Sequence, residues 1–257
     1  MFQSAQLVHG DEIPILGTSI TDVDVSCFRN FFRERFDVGF DDQDLSLPQV
    51  LSNMRLLNQG RLNVAGALLF AKDPAPLLPT FHIKGVSYPD NNIHESEYVD
   101  SADIVGRIGV QFEYALAFML RNLRREQRGQ SVNSTGVLEV PRIVLEELLA
   151  NALLHRDYFV SAPIRIFIFD DRIELISPGH LPNNLTIANI RSGNSNIRNP
   201  ILASYATKVL PYRGLGNGII RATKEYPHID FVDDREGNQF VAIIRRNEDV
   251  PSRNQVQ

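Results

Sequence analysis

"EELLANALLHRDY", residues 146–158, is the stretch on which the reading of the fold turns. Val144, Leu148 and Ala152 recur every four residues, with Leu145, Leu149 and Leu153 beside them, so the segment predicts a helix with an apolar stripe. A second ridge runs alongside it: Glu147, Asn151 and His155, followed by Arg156 and Asp157. At the pitch of an α-helix such a ridge drifts only gently around the axis. Asparagine is a poor helix-interior residue, which suggests that Asn151 has a job beyond packing. A carboxylate and a carboxamide one turn apart can hold and deprotonate a water and ligate a hard cation such as magnesium. The same helix also reads as a solvated face on which Glu147 pairs with an arginine.

Around this helix the chain has 257 residues, of which 43% are hydrophobic and 22% charged, the balance of a folded globular protein. No apolar run is long enough to span a bilayer and the N-terminus lacks the pattern of a signal peptide, so a cytoplasmic location without membrane contact is expected. The single cysteine, Cys27, excludes an internal disulfide and a cysteine-based zinc site. A formal net charge of −5 argues against bulk electrostatic binding of nucleic acid. Arg121, Arg124, Arg125 and Arg128 form one local basic cluster, read as a solvated helix end or an anion-binding patch.

Periodicity predicts helices over 22–36, 48–57 and 106–123, and a strand in "FHIKGVSY". "IRIFIFDDRIELI" and "DFVDDREGNQFVAIIRR" each read as a hairpin. This mixed order of elements argues for an α+β fold. Two further features follow the second hairpin strand. "ELISPGHLPNN" opens a long polar connection of the kind that forms lids, in which Arg198 and Asn199 could reach a phosphate or cap a helix. "RGLGNGIIRATKEY" places Gly214, Gly216 and Gly218 directly before a helix, a bend suited to close backbone approach by an anion. Its spacing is that of neither a Rossmann fingerprint nor a Walker A loop.

In this order the motifs are similar to the GHKL ATPase superfamily, which includes gyrase B subunits, heat-shock chaperones, sensor kinases and mismatch-repair proteins. "NALLHRDY", "DDRIELISPGHLP", "RNP" and "GLGNGI" resemble more closely the ATP-binding C-terminal region of a bacterial and archaeal family. Its members are described as transcriptional regulators or helicase-related proteins, often behind a Schlafen/AlbA-type domain. The resemblance implies a GHKL-like (Bergerat) mixed sheet with helices on one face over residues 104–247. A smaller α+β region over 1–103, read as the remnant behind a missing Schlafen/AlbA-type domain, and a tail over 248–257 complete the expected division.

The resemblance also implies ATP and Mg as ligands. Glu147 would activate the attacking water, Asn151 would ligate magnesium, and Gly214, Gly216 and Gly218 would cradle phosphates. Ser177 and Gly179, with Pro178 between them, fall where the superfamily carries its adenine-reading aspartate, and no aspartate stands there. The expected activity is that of an ATP-binding, Mg-dependent and slowly hydrolysing regulatory protein linked to transcription or DNA binding. The alternative is a non-catalytic module that keeps the fold and contacts nucleic acid or protein. A nucleotide is the expected partner, with a nucleic acid, a second protein or a homodimer open beside it.

Overall fold

In a computed structural model the residues described are 8–94, 96–126, 136–211 and 216–246. In chain order they form α1 (Val25–Phe36), α2 (Leu47–Asn53), β1 (Leu57–Asn58), β2 (Arg61–Leu62), α3 (Val64–Phe70), β3 (Ile83–Ser87), β4 (Asp100–Ile104) and α4 (Ile108–Asn122). There follow β5 (Arg125–Glu126), β6 (Val137–Leu138), α5 (Arg142–His155), β7 (Ile164–Ile168), β8 (Arg172–Pro178) and α6 (Ile187–Arg191). The chain closes with α7 (Pro200–Ala206), α8 (Gly218–Glu225), β9 (Ile229–Asp234) and β10 (Gln239–Arg245).

One six-stranded sheet, ordered β4-β3-β7-β8-β10-β9, organises the molecule. Its pairs are antiparallel except β3 with β7, which run parallel with Gly85 opposite Ile166. Both expected hairpins form, β7–β8 and β9–β10. Along β7 the residues Ile164, Ile166 and Ile168 are buried while Arg165 and Phe167 are only half-buried, the alternation of a sheet covered on one face. The covering layer is α4, α5 and α8, with α5 against the sheet at β8 and flanked by the other two helices. This gives the α+β, GHKL-like mixed sheet with helices on one face.

The helix of the opening stretch is more deeply buried than its stripe alone requires. Val144, Leu145, Leu148, Leu149, Ala150, Ala152, Leu153 and Leu154 are all buried, because α5 is enclosed by α4, α8 and the sheet. Arg156 ends the helix with its side chain only 2% exposed, stacked over the rings of Phe81 and Tyr158. Its guanidinium donates to the Ala162 carbonyl at 2.6 Å and so turns the chain toward β7.

The division expected between residues 103 and 104 runs through this sheet. β3 and β4 lie before that point, yet β3 pairs with β7 and β4 pairs with β3. The same apolar core continues from Phe28 through Leu68 and Leu149 to Ile244. The parallel pairing joins segments about eighty residues apart, and local alternation does not reveal it. The first described residues are tied to the body as well. Ile15 donates to the Leu62 carbonyl at 2.8 Å, and Asp11 accepts from the amides of Ile201 and Leu202 at 2.8 and 2.9 Å, so this segment straps α7 to the body.

Among the described residues no helix is long and apolar enough to cross a membrane. The arginine cluster is largely committed to carboxylates. Arg121 holds Asp100 at 2.6 Å and Arg124 holds Asp170 at 2.9 Å, while Arg128 lies outside the described residues. Arg246 and Glu139 form a buried pair at 2.7 Å that ties the end of β10 to the segment entering α5.

Candidate functional site

The end of β8, the exposed side of α5, the first turn of α8 and the connection after β8 surround one cleft of about 890 Å³, counting its open mouth. Of the residues singled out in the sequence, Asn151, Ser177, Gly179, Gly216 and Gly218 line it together, and so does His155. Gly214 lies outside the described residues. Leu175, Ile190, Phe231 and Phe240 give the cleft an apolar wall, and the rings of Phe231 and Phe240 stack with centroids 5.8 Å apart.

Asn151 sits one turn before His155 on α5. Its Nδ2 donates to the Glu147 carbonyl at 2.7 Å, which leaves the amide oxygen as the atom available to a cation. Gly218 begins α8 directly against this point. A Cβ added to it would stand 2.6 Å from Glu147 Oε2 and 2.9 Å from Asn151 Nδ2, so any larger residue would have to displace these side chains or α8. Gly216, just before it, has φ +68, a conformation that suits glycine. The spacing of the glycines therefore serves helix contact as well as backbone approach to a ligand.

Glu147 is placed differently from its neighbours on the ridge. It does not line the cleft, is only 2% exposed, and its Oε1 pairs with Arg221 of α8 at 2.6 Å. The ridge divides because each four-residue step overshoots a full turn of the helix by about 40°. Asn151 and His155 turn toward the cleft while Glu147 turns under α8. Arg221 was not legible as a site residue. Its signal was its position three residues after Gly218, on the side of α8 that meets α5.

At the other end Ser177 is buried and donates to the Ala152 carbonyl at 3.2 Å, leaving its lone pairs free to accept. His155 is half-buried, and loss of water contact together with the nearby Arg198 pushes its pKa down to about 4, against an opposing hydrogen bond at Asn196. A neutral imidazole thus faces the cleft at neutral pH.

Arg198 supports this end from below rather than facing a ligand. It is 6% exposed and does not line the cleft; it donates to the carbonyls of His180 at 2.6 Å and His155 at 3.4 Å and lies 4.0 Å from Asp157. The phosphate contact considered for it is replaced by these backbone bonds. Asn199 donates to the carbonyls of Leu154 and Arg156 at 2.8 and 2.9 Å, satisfying the end of α5.

The strap behind this end carries a pH effect. Burial pushes Asp11 up to about 6 although two amides of α7 favour its charge. Its protonated form is favoured by folding, so its stabilising contribution is present below the ordinary carboxylate range and is lost as pH rises toward 6. His155 acts oppositely: its contribution is present above the ordinary imidazole value and is lost as pH falls toward 4. The two slopes oppose each other over one window. Asp11→Asn removes the first, so relative to wild type the variant should gain about 2 kcal/mol between pH 4 and 6.5. Denaturant titrations at both pH values measure this, and parallel profiles for the two proteins would contradict it.

Among the described residues no group of three or more His, Cys, Asp or Glu side chains could hold a metal ion by itself. A cation here would have Asn151 and a ligand's own oxygens, which is how magnesium is commonly held beside phosphates.

Residues 161–244 match a family model described as "Putative ATP-dependent DNA helicase recG C-terminal". Among solved structures the chain is similar to the DIP2311 protein from Corynebacterium diphtheriae, with a TM-score of 0.69 and 20% sequence identity. The match covers 96% of this chain and 49% of that one, so the chain spans about half the length of this relative. At that identity the likeness concerns the fold. No curated protein matches the chain. The family match and the fold together support a GHKL/ATPase-like domain.

Proposed function

We propose that the cleft binds Mg-ATP and that the protein is a nucleotide-responsive regulator. The observation that carries this reading is the convergence of Asn151, Ser177, Gly216 and Gly218 on one cleft. The base would lie at the Ser177 and His155 end against Phe231 and Phe240, where Ser177 offers an acceptor to an amino group. The phosphates would lie on the glycine bend and the N-terminus of α8, whose amides and dipole favour an anion. Asn151 would hold magnesium, which when bound neutralises phosphate charge. The helicase wording of the matched family supports a role linked to nucleic acid.

Turnover on this reading is attack by water on the terminal phosphorus, with cleavage of its bond to the leaving diphosphate oxygen and transfer of the water proton to Glu147. The carboxylate is held by Arg221, which favours binding over rapid turnover. That pair also supports a second reading, a module that binds nucleotide and changes shape without hydrolysis.

Isothermal titration decides first whether the cleft binds. Wild type should give a saturable heat with Mg-ATP. Asn151→Ala should bind about tenfold more weakly with magnesium present and nearly normally in EDTA, since only the cation contact is lost. Absence of heat in wild type, or equal affinity of both proteins with magnesium, would count against the reading. Single-turnover phosphate release then separates hydrolysis from binding alone.

A further inference from the structure

We propose that Arg221 is a latch on the base: it holds the Glu147 carboxylate until a nucleoside triphosphate docks on the glycine bend, and then transfers to the terminal phosphate. The inference rests on the nucleotide-binding reading above and adds a control over it.

The closed latch is visible in the geometry. Arg221 Nη2 lies 2.6 Å from Glu147 Oε1, and the carboxylate is almost fully buried. Its other oxygen, Oε2, lies 2.6 Å from where a Cβ on Gly218 would stand, so the helix start covers the side facing the cleft. One carboxylate oxygen is thus held by the guanidinium and the other is roofed by the start of α8, which keeps a water from both. Water activation is therefore suppressed in this arrangement.

The arginine is also suited to leave. Its side chain retains 30% exposure, whereas that of Glu147 has 2%. Its Nε is buried without a hydrogen-bond partner among the described residues, an unsatisfied donor that a richer acceptor would relieve. Arg221 stands three residues after Gly218, within one turn of the helix start on which phosphates would rest. A terminal phosphate offers three oxygens and more charge than one carboxylate, and arginine binds such groups in a forked geometry. A diphosphate lacks that group and would leave the pair closed. Arg221 thereby acts as a positioning residue, releasing the base only when there is a terminal phosphate to attack.

The two partners make opposite predictions. The triphosphate must compete with Glu147 for the guanidinium, so Glu147→Gln should strengthen Mg-ATP binding by about tenfold. Arg221→Gln removes the phosphate contact and should weaken it by about tenfold, and Arg221→Lys should fall between it and wild type. Mg-ADP affinity should stay within about threefold of wild type in all three variants. Titration calorimetry with both nucleotides reads these shifts, and thermal melting verifies that each variant is folded. Shifts of both glutamine variants in one direction, or equal shifts for ATP and ADP, would overturn the latch, because a merely structural pair gives that pattern. A wild type that binds neither nucleotide would remove the binding reading itself, and the latch with it.

Discussion

Gly179→Ala is expected to destabilise the protein by about 4 kcal/mol, a large share of the roughly 5–15 kcal/mol typical of a folded domain. Gly179 has φ +96, which strains any side-chain-bearing residue. An added Cβ would stand 2.3 Å from Arg198 Nη1, 2.5 Å from Asp157 Cβ and 3.2 Å from the Asp157 backbone nitrogen. The guanidinium could yield in principle, but it is bonded to the His180 and His155 carbonyls. Asp157 cannot yield cheaply, because its amide donates to the Pro178 carbonyl at 2.7 Å. Strain and overlap therefore add at a point where the end of α5, the end of β8 and the connection after it meet. Chemical denaturation measures the effect, and a loss below about 1 kcal/mol would mean that the turn relaxes freely.

Gly218→Val should reduce Mg-ATP affinity by about a hundredfold or more, with a stability loss of about 2 kcal/mol. Its Cβ would meet the Glu147 carboxylate and the Asn151 amide at 2.6 and 2.9 Å. Both groups are tethered, Glu147 to Arg221 and Asn151 to the Glu147 carbonyl, so α8 itself must shift away from α5. That shift displaces the amides proposed to receive phosphate and moves Asn151 from the proposed cation position. Alanine should give a smaller version of the same effect. Calorimetry and melting together separate the two losses, and an affinity within threefold of wild type would contradict the proposed phosphate position.

The features legible in the sequence were those written locally. The stripe of α5, the two hairpins and the glycines at the start of α8 all express short-range geometry, and the stripe, the hairpins, Gly216 and Gly218 appear as read. The reading stopped where the outcome depended on a distant partner. Arg198 could be a phosphate ligand or a support until its acceptors, the carbonyls of His155 and His180, were in place. Glu147 shares its ridge with Asn151, but whether it met a water or an arginine depended on where α8 packed. The same holds for Asp11, whose partners on α7 lie 190 residues away, and for β3, whose parallel partner follows two helices. Sequence periodicity specifies which side of an element is apolar. It does not specify which buried polar group will find which acceptor.

Hydrogen exchange with and without Mg-ATP tests most directly whether nucleotide occupies the space between α5 and α8. The account predicts slower exchange in the first turn of α8, in α6 and in the residues around Asn194–Asn196, with no change in β4 at the far edge of the sheet. Protection confined to β3 and β4, or an exchange pattern unaltered by nucleotide at concentrations that saturate binding, would contradict it.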